Sequence, residues 1–572
     1  MRVVLFLAAL PLVAQTWPQW GRNAQHTGTV DIAGQAPSRL LAQVRYDPFA
    51  QIAQREAGGS LLVHYQPPLV DGRDVFLPVK TGEYVSCNFS LPQRGPCGFD
   101  AWHLQQWNIR RLRWDKEELV ERWTVATDWK PIPNAGGLGG WEPVFHAALT
   151  PSSVFVPAAG GALLELRRNN GRLRRRWEPF GAGKANHYVV GPITVDNDGN
   201  LFYNVIERDP ADTWGFFGGD VPGAWLVRIS AMGEMHTVDY KTLIPDAPRT
   251  CRGSFEASAL PWPPSPTAVP TSVPCLSQRP GVNIAPAVAP DGTVYVVSRA
   301  HHPQASRYSY LIALKPDLTL KWAASLRGHL RDGCGVLLPI GEPGGCRAGT
   351  PANGVDPATN EAPAGTVNDL STSSPVVAPD GSVFYGAYTR YNYFRGHLFH
   401  FDANGRFQNA FDFGWDITPA IWPHDGTYSV VIKENNYEAG SYCNDTSVCP
   451  WRENGPYYIT QLSPDLNVEW RFANTTKEEC SRGIDGVVRC LPARKDGGFE
   501  WCINAPAVDA RGVVYANAED GNLYAIGQGG VELGRIFLNL AIGAAYTPLS
   551  IGHDGRIYTE NDGYLFAIGT GR

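Results

Sequence analysis

Short apolar segments separated by polar, glycine-containing turns recur along the chain. One phrase is repeated with little variation: a proline, two or three small or β-branched residues, an Asp-Gly or similar turn, and a second segment that ends in aromatics. The clearest copies are 285–295, 374–384 and 505–515. Segments of this length, rich in β-branched and aromatic residues and bounded by glycine turns, are typical of β-strands. The pattern therefore predicts antiparallel strands joined by tight turns.

Each copy continues with two further segments. A third apolar segment, such as 311–314 or 523–526, is followed by a polar turn and by a fourth segment that often ends in tryptophan. These tryptophans are Trp123, Trp177, Trp322 and Trp470. The prolines that open the copies are Pro68, Pro143, Pro192, Pro286, Pro375, Pro419, Pro506 and Pro548. Four short strands at a regular period form one blade of a β-propeller, so we predict a single all-β domain, an eight-bladed β-propeller with four-stranded antiparallel blades.

The last copy is too short to hold a complete blade. Only 24 residues follow Pro548, whereas the shortest complete interval, from Pro506 to Pro548, spans 42 residues. The fourth strand must come from elsewhere, and the apolar segment at about 39–46 has the required length. We therefore predict that this N-terminal strand closes the last blade, which joins the chain ends and covers free sheet edges.

The first fifteen residues differ from the rest of the chain. Arg2 supplies a positive charge, an apolar run follows from Val3 to Leu10, and polar sequence starts at Thr16. This order is typical of a secretory signal peptide, and the run is shorter than the roughly 20 apolar residues of a membrane-spanning helix. We predict a signal peptide at 1–15, a propeller at 16–572, and a periplasmic or extracellular location. The alternative is that 1–15 forms a buried strand.

The eleven cysteines lie mostly as near neighbours within loop-like segments. In an exported protein this spacing favours disulfides that cross-link loops. The predicted pairs are Cys87–Cys97, Cys251–Cys275, Cys334–Cys346 and Cys443–Cys449. Cys490 pairs with either Cys480 or Cys502, which leaves one cysteine over. Metal binding is the alternative, but the sequence has no Cys-x-x-Cys pair and therefore indicates neither a zinc ribbon nor covalently attached haem.

Composition and motifs narrow the function classes. Lys and Arg number 49 against 55 Asp and Glu, a net charge of −6, which argues against a nucleic-acid-binding surface. The 61 glycines and 46 prolines favour a loop-rich β fold. His397 and His400, three residues apart on a strand, are expected on opposite faces, so we predict no metal site there. The adjacent pair His301 and His302 stays open as a metal site.

Loop lengths distinguish the two faces of the predicted propeller. Turns between first and second strands, and between third and fourth strands, are short and lie on one side, which we call the plain face. Loops between second and third strands, and the links between blades, lie on the other side, the decorated face. The long insertions are 81–106, 206–224, 299–309, 388–396 and 435–457 within blades, and 241–282, 327–371 and 474–502 between blades. All belong to the decorated face, which favours binding there, with functionless drift of insertions as the alternative.

Two further segments have unusual composition. Six arginines crowd 167–176, towards the plain face, where they form either a solvated edge that prevents strand pairing or a contact surface for an anionic partner. The proline-rich segment 261–266 lies between Cys251 and Cys275. This position predicts a stiff surface strap more than a ligand for a partner.

The repeats resemble those of the pyrroloquinoline-quinone (PQQ)-type eight-bladed propellers. The phrase Trp-Pro-Gln-Trp-Gly-Arg at 17–22, continuing to Gly28, also resembles the segment that often precedes such repeats. This family includes quinone-dependent alcohol and sugar dehydrogenases, and also non-catalytic scaffolds such as the propeller lipoprotein of outer-membrane protein assembly. The resemblance therefore specifies the fold and leaves both kinds of activity open.

Residues just before the opening prolines are expected to approach the propeller axis near the decorated face. For a dehydrogenase, the resemblance implies an aspartate base, a Ca²⁺ held by carboxylate and amide oxygens, and aromatics stacked on PQQ. The residues of suitable type are Asp416 and Glu142 for catalysis, and Trp141, Asn283, Asn504 and Tyr546 for the cofactor. Others at such positions are His187, Asp369 and Ser373. The chain lacks the adjacent Cys-Cys pair that such dehydrogenases often carry.

We therefore predict an exported, non-catalytic scaffold that binds a protein or glycan partner through disulfide-stapled loops. A PQQ- and calcium-dependent periplasmic alcohol or sugar dehydrogenase is the alternative. A propeller lyase or hydrolase with unassigned residues is the third hypothesis.

Overall fold

In a computed structural model, the regular secondary structure of the described part of the chain is almost entirely β-strand. The described residues are 16–52, 66–84, 104–132, 144–211, 220–255, 264–300, 308–336, 347–369, 371–388, 396–414, 417–435, 456–474, 476–482, 485, 487–493, 498–501, 503, 505–541 and 548–571. Helix is limited to short segments such as α1 (Tyr240–Leu243) and the 3-10 turn Ala159–Gly161. None of the helices in these ranges is long and apolar enough to cross a membrane.

The strands form eight four-stranded antiparallel blades in a ring, as predicted. An N-terminal strand, β1 (Arg39–Arg45), precedes them. Blade 1 contains β2 (Leu69–Asp71), β3 (Asp74–Gly82), β4 (Gln105–Asp115) and β5 (Glu118–Ala126). Blade 2 contains β6 (Ala148–Leu149), β7 (Ser153–Pro157), β8 (Leu163–Arg167) and β9 (Leu173–Trp177). Blade 3 contains β11 (Thr194–Val195), β12 (Leu201–Glu207), β13 (Gly223–Ile229) and β14 (Met235–Asp239), with β10 (His187–Val189) also paired to β12.

The later blades follow the same order. Blade 4 contains β18 (Ala287–Val288), β19 (Val294–Ala300), β20 (Ser309–Leu314) and β21 (Leu320–Ser325), with β17 (Gln278–Arg279) added to β19. Blade 5 contains β22 (Val376–Val377), β23 (Val383–Tyr388), β24 (Gly396–Phe401) and β25 (Phe407–Gly414). Blade 6 contains β26 (Ala420–His424), β27 (Thr427–Asn435), β28 (Tyr457–Leu462) and β29 (Val468–Ala473). Blade 7 contains β32 (Ala507–Val508), β33 (Val514–Asn517), β34 (Asn522–Gly527) and β35 (Val531–Phe537).

Blade 8 combines both ends of the chain. It contains β36 (Leu549–Ile551), β37 (Ile557–Asn561) and β38 (Tyr564–Gly569), and β1 completes it as the outermost strand. The pairing of β1 with β38 is antiparallel, with Arg39 opposite Gly569 and Arg45 opposite Tyr564. The ring is therefore closed by backbone hydrogen bonds between the first and last strands, and β38 has no free edge.

The inner strands begin where the prolines predict in six blades. In blades 1 and 4 to 8 the proline directly precedes the inner strand. In blade 2 the strand begins only at Ala148, five residues after Pro143, which differs from the predicted phrase. The reason is that side chains take the preceding backbone groups: Val144 N–H donates to Asn283 Oδ1 and Ala147 N–H donates to Gln66 Oε1.

Neighbouring blades are locked together by the predicted tryptophans. Trp123 on β5 donates its indole N–H to Arg168 O in the third-to-fourth turn of blade 2, at 3.0 Å. Trp322 on β21 makes the same contact with Ala403 O of blade 5, at 3.1 Å. The turn glycine beneath each ring has positive φ, 79° at Gly405, and a Cβ there would lie 2.5 Å from the Trp322 ring. Glycine is thus required by both backbone and packing.

Two short ribbons lie outside the blades, in the links between them. The strap ribbon consists of β15 (Thr250–Arg252) and β16 (Ser272–Pro274), and the long-link ribbon consists of β30 (Glu478–Arg482) and β31 (Val488–Pro492). Cys251–Cys275 staples the first and Cys480–Cys490 the second, so Cys490 pairs with Cys480 and not with Cys502. Cys334 is also disulfide-bonded. Cys87, Cys97, Cys346, Cys443, Cys449 and Cys502 lie outside the described residues.

Candidate functional site

An N-terminal segment, 17–35, runs through the centre of the ring, and we call it the axial plug. Its backbone and side chains hydrogen-bond to one blade after another in chain order. The contacts are Trp17 with Val70, Pro18 with Leu149, Gln19 with Val195, Ala24 with Val288, Gln25 with Val377, Thr27 with Ile421, Gly28 with Val508 and Gln35 with Gly555. The plug therefore touches all eight blades.

The plug satisfies the free edges of the inner strands. In a propeller each inner strand is a sheet edge whose outward N–H groups lack a partner within the blade. Carbonyl oxygens of Pro18, Ala24 and Gln25 accept these hydrogen bonds at 2.8, 2.7 and 3.0 Å. The Gln19 side-chain amide pairs with both backbone groups of Val195 in the same way. In most blades the contacted residue ends the inner strand, so the plug lies towards the plain face.

The backbone of the plug must curl tightly to follow this circle. Gly21, Arg22, His26 and Gly28 have φ between 59° and 77°. At Gly28 a Cβ would lie 2.8 Å from Pro506 O and 3.1 Å from Ala420 Cβ. His26 is buried, with Nδ1 donating to Pro375 O at 2.8 Å and Nε2 lying 3.3 Å from Thr194 Oγ1. The plug is thus fitted to the blades by local geometry and by specific polar contacts.

Trp20 of the plug is fully buried among residues from several blades. Its buried ring packs with Ala285 and Ala505, which immediately precede the opening prolines of blades 4 and 7. His146 of blade 2 meets the same ring edge-on at a centroid distance of 5.7 Å. Burial lowers the pKa of His146 to about 3 and that of His26 to about 4. Both imidazoles are therefore neutral at physiological pH.

The predicted axial residues that the structure describes contact other parts of the chain. Asn283 is fully buried and accepts a hydrogen bond from Val144 N–H, which links two blade connections across blade 3. Ser373 Oγ donates to Ile417 O at 2.6 Å, which joins the links to blades 5 and 6. His187 lies on β10 and stacks on Trp225 at 5.2 Å. The residue pattern of the sequence gave no indication of the inter-blade bonds of Asn283 and Ser373.

The remaining predicted site residues lie outside the described part of the chain. These are Trp141, Glu142, Asp416, Asn504 and Tyr546. A catalytic or cofactor role for them stays a prediction. Of the residues predicted to bind PQQ or Ca²⁺, the structure describes Asn283.

Within the described residues, the histidines and cysteines form no metal centre. Glu478, Cys480 and Cys490 are the one group with metal-like proximity there, but the two sulfurs are joined in a disulfide. His397 Nδ1 lies 2.5 Å from Asp412 Oδ1, whereas His400 stacks on Phe384 at 4.5 Å. The two rings have separate surroundings, as strand geometry predicted. His301 and His302 lie outside the described residues.

The decorated face carries the long insertions at the predicted places. The strand bounds put gaps at 83–104, 208–222, 301–308, 389–395 and 436–456 between second and third strands. The segment between the two strands of the strap ribbon is bound by Asn360. The Nδ2 atom of Asn360 lies within 3.1 Å of the carbonyl oxygens of Ser265, Pro266 and Ala268. Arg252 of the same ribbon pairs with Glu361 at 3.4 Å. The described part of the proline-rich strap is therefore fastened to the link between blades 4 and 5.

The long-link ribbon contacts blade 7 at its base and exposes apolar side chains further out. Arg482 donates to Phe537 O at 2.9 Å and lies over the Phe537 ring, which anchors the base of the ribbon to blade 7. Further out, Leu491 is 72 % exposed, Val487 51 % and Val488 37 %. The ribbon is a two-stranded sheet, so its outer edges are not covered by another strand in the described structure. The long-link ribbon therefore combines a disulfide-linked backbone, open strand edges and exposed apolar side chains.

Three of the six arginines in the hairpin of blade 2 are paired with carboxylates. Arg168 pairs with Asp71 at 2.5 Å, Arg174 with Glu165 at 3.4 Å, and Arg176 with Asp128 at 2.9 Å. Arg175 lies over the Trp177 ring at 4.3 Å. Pairing of this kind favours the interpretation of 167–176 as a solvated edge.

Comparison with known proteins finds similarity to solved structures at low sequence identity. Neither a family model nor a curated protein sequence matches the chain. Quinohemoprotein alcohol dehydrogenase from Comamonas testosteroni is 13 % identical, with a TM-score of 0.48 over 99 % of this chain and 82 % of that one. The quinohemoprotein alcohol dehydrogenase ADHIIG from Pseudomonas putida HK5 is 12 % identical, with a TM-score of 0.48 over 97 % of this chain and 76 % of that one. BamB from Moraxella catarrhalis is 11 % identical, with a TM-score of 0.38 over 93 % of this chain and 99 % of that one.

Proposed function

We propose that the protein is an exported, non-catalytic propeller scaffold that binds a protein or glycan partner through its decorated face. The disulfides agree with an oxidising compartment outside the cytoplasm. We place the protein in the periplasm or extracellular space after removal of residues 1–15.

The proposal rests on the long-link ribbon. Leu491, Val487 and Val488 are exposed on a backbone that Cys480–Cys490 holds in one conformation. Pre-organised apolar side chains bind with a smaller entropy loss than flexible ones. An open ribbon edge also offers main-chain groups to an incoming strand. Such a surface is suited to an extended segment of a partner protein, with glycan binding as the second form of the same proposal.

The test replaces an exposed apolar residue on each face. Burying a leucine at an interface contributes about 1.5–3 kcal/mol, so Leu491→Asp is expected to weaken partner binding about tenfold to a hundredfold. Met232→Asp is the matched control, because Met232 is 91 % exposed in the third-to-fourth turn of blade 3, on the plain face. Partners are captured by cross-linking in the exported fraction and on a glycan array, and affinities are then measured for both variants.

Two outcomes would overturn the proposal. Equal binding by Leu491→Asp and Met232→Asp would remove the long-link ribbon from the interface. Saturable one-to-one binding of PQQ with Ca²⁺, together with dye-linked oxidation of an alcohol or sugar, would replace the scaffold with the dehydrogenase alternative. Asp416 and Glu142 are then the first residues to substitute.

A further inference from the structure

The segment that follows the closing strand β1 lies between blade 8 and blade 1. Tyr46 N–H donates to Gly563 O in the turn between β37 and β38, at 2.9 Å, and Tyr46 O accepts from Lys80 N–H of β3, also at 2.9 Å. Asp47 N–H donates to Gly563 O as well, at 3.2 Å. The backbone of residues 46 and 47 therefore joins the last blade to the first, at the decorated end of both.

The side chains of Asp47 and Lys80 meet at this junction. Lys80 Nζ lies 2.6 Å from Asp47 Oδ2, and the exposed fractions of the two side chains are 8 % for Lys80 and 1 % for Asp47. The contact is an ion pair by distance, yet Oδ2 has no partner in hydrogen-bond geometry among the described residues. Oδ1 accepts from Phe49 N–H at 2.8 Å, which holds the carboxyl group in place. The amine is thus pressed against a fixed carboxyl group outside the usual hydrogen-bond direction.

A third carboxyl group lies next to this pair in the structure. Asp562 directly precedes Gly563 in the turn, is 7 % exposed, and accepts at Oδ2 from Gln51 at 3.2 Å and from Asn539 at 2.6 Å. Burial raises the pKa of Asp562 above its usual range, and the negative charge of Asp47 adds to the rise. Such a carboxyl group keeps its proton more readily than an exposed aspartate and can pass it to a neighbouring group.

Burial changes which state of an amine and a carboxyl group is favoured. In water, both ions are strongly hydrated, so a separate ammonium and carboxylate are more stable than the amide that they could form. In a protein interior the two charges lose this hydration, whereas an amide carries no net charge. The junction also holds the two groups in contact, which removes the entropy loss of bringing them together. Both effects favour condensation of Lys80 with Asp47.

We propose that Lys80 and Asp47 form an intramolecular isopeptide bond, which closes the ring covalently. A proton first passes from the ammonium of Lys80 to the carboxylate of Asp47. The neutral Nζ then attacks Cγ of Asp47, so that a C–N bond forms and the C–O bond to the hydroxyl breaks. Asp562 gives its proton to the departing hydroxyl and takes one from the nitrogen, so one water molecule leaves and no oxidant or reductant is consumed.

The first measurement is the mass of the intact, denatured protein. The expected mass of the wild type is one water molecule below that of its disulfide-bonded sequence, whereas Lys80→Arg is expected to have the full mass of its own sequence. Lys321→Arg is the matched control, because exposed Lys321 lies 3.7 Å from Asp291 in an ordinary surface pair. This control should keep the loss of water.

Tryptic peptides of the reduced protein locate the bond. Trypsin does not cleave after an acylated lysine, so a branched peptide that joins residues 46–55 to residues 74–94 is expected. This measurement uses the wild type and therefore decides the question even if Lys80→Arg does not fold. Separate, unbranched peptides with cleavage after Lys80, or a loss of water that maps to an Asp-Gly turn, would overturn the isopeptide bond.

The role of Asp562 is tested by the rate at which the bond forms. The fraction of branched peptide is followed against time after synthesis in Asp562→Asn, which keeps Lys80 and Asp47. Loss of a general acid is expected to slow formation about a hundredfold. Asp485→Asn is the control, since Asp485 pairs with Arg489 in the long-link ribbon, and it should form the bond at the wild-type rate. Equal rates in the two variants would remove Asp562 from the reaction.

Discussion

The two ends of the propeller differ in whether their free sheet edges are covered. At the plain end, the axial plug covers the inner edge of each blade and buries Trp20 and His26. At the decorated end, the long-link ribbon leaves its edges open and holds its shape by a disulfide. Covered edges and buried side chains stabilise the ring, whereas open edges and exposed apolar residues are suited to binding. Under the proposed function, stability and recognition therefore depend on different ends of one domain.

The largest expected effect on stability comes from removing the buried indole ring of Trp20. Trp20 is 1 % exposed and packs with residues of blades 4 and 7. Trp20→Ala leaves a cavity at the axis, and we expect a loss of about 3–5 kcal/mol in the free energy of unfolding. Denaturant-induced unfolding followed by fluorescence measures it.

The control for this substitution lies on the plain surface. Met232→Ala removes a side chain that is 91 % exposed, and we expect a change within about 0.5 kcal/mol. A loss below about 1 kcal/mol for Trp20→Ala would contradict a stabilising role of the plug.

Acid is expected to weaken the plug before the long-link ribbon. His26 and His146 are held neutral in the folded state, with pKa values of about 4 and about 3, whereas an unfolded histidine titrates near 6.5. The unfolded state therefore binds more protons below pH 6.5, and stability falls as pH decreases towards 4. Each histidine contributes about 1.4 kcal/mol per pH unit in that window.

A single substitution isolates one of the two histidines. We expect His146→Gln to reduce the slope of unfolding free energy against pH by about 1.4 kcal/mol per unit between pH 6 and 4.5. Hydrogen exchange should show the plug amides opening first, since the segment 478–492 contains no histidine. An unchanged slope in His146→Gln would mean that this imidazole is protonated in the folded protein.

The sequence allowed the ring to be predicted, because the information for a blade is local. Proline, turn glycines and alternating apolar residues recur within each copy, and the tryptophans of the fourth strands lie where their pattern indicated. Loop classes followed from strand order alone, since a blade's second-to-third loops always open on the same side. Blade 2 was the exception, because Asn283 and Gln66 occupy backbone groups of 144–147 from distant parts of the chain.

The plug and the buried ion pairs were not predictable in this way. The plug binds mainly through its own carbonyl oxygens, and backbone groups carry no residue-type signature. Asp369 meets Arg279 and Arg299 from positions 90 and 70 residues away. No spacing rule connects such distances without the fold. The phrase at 17–28 resembles a segment that often precedes such repeats, but the contacts of the plug 17–35 with all eight blades depend on the assembled ring.

A smaller change in unfolding free energy is expected from substitutions in the turns that connect neighbouring blades near the plain face. Gly405 and Gly529 both have φ of 79° in third-to-fourth turns, but only Gly405 lies against a tryptophan ring. Alanine strains the backbone at both positions by about 1 kcal/mol. At Gly405 its Cβ also collides with Trp322, which adds about 1–3 kcal/mol. Unfolding free energies of Gly405→Ala and Gly529→Ala should differ by that second amount, and equal values would remove the tryptophan contact from the inter-blade lock.

The smallest global effect, and the most informative about the decorated end, is expected from opening its staples. Replacing Cys480 and Cys490 by serine removes the disulfide across a sequence separation of 10 residues. We expect the free energy of local opening of the ribbon to fall by about 2–3 kcal/mol. The long-link ribbon lies outside the blades, so global unfolding should change by less than about 0.5 kcal/mol, while trypsin should cleave at Arg489 much faster. Replacing Cys251 and Cys275 by serine is the matched control, because Asn360 and Glu361 still hold the strap ribbon. Faster cleavage of the long-link ribbon alone means that its disulfide is what keeps the binding surface in shape. Equal cleavage of both ribbons would show that the remaining polar contacts do not hold either one.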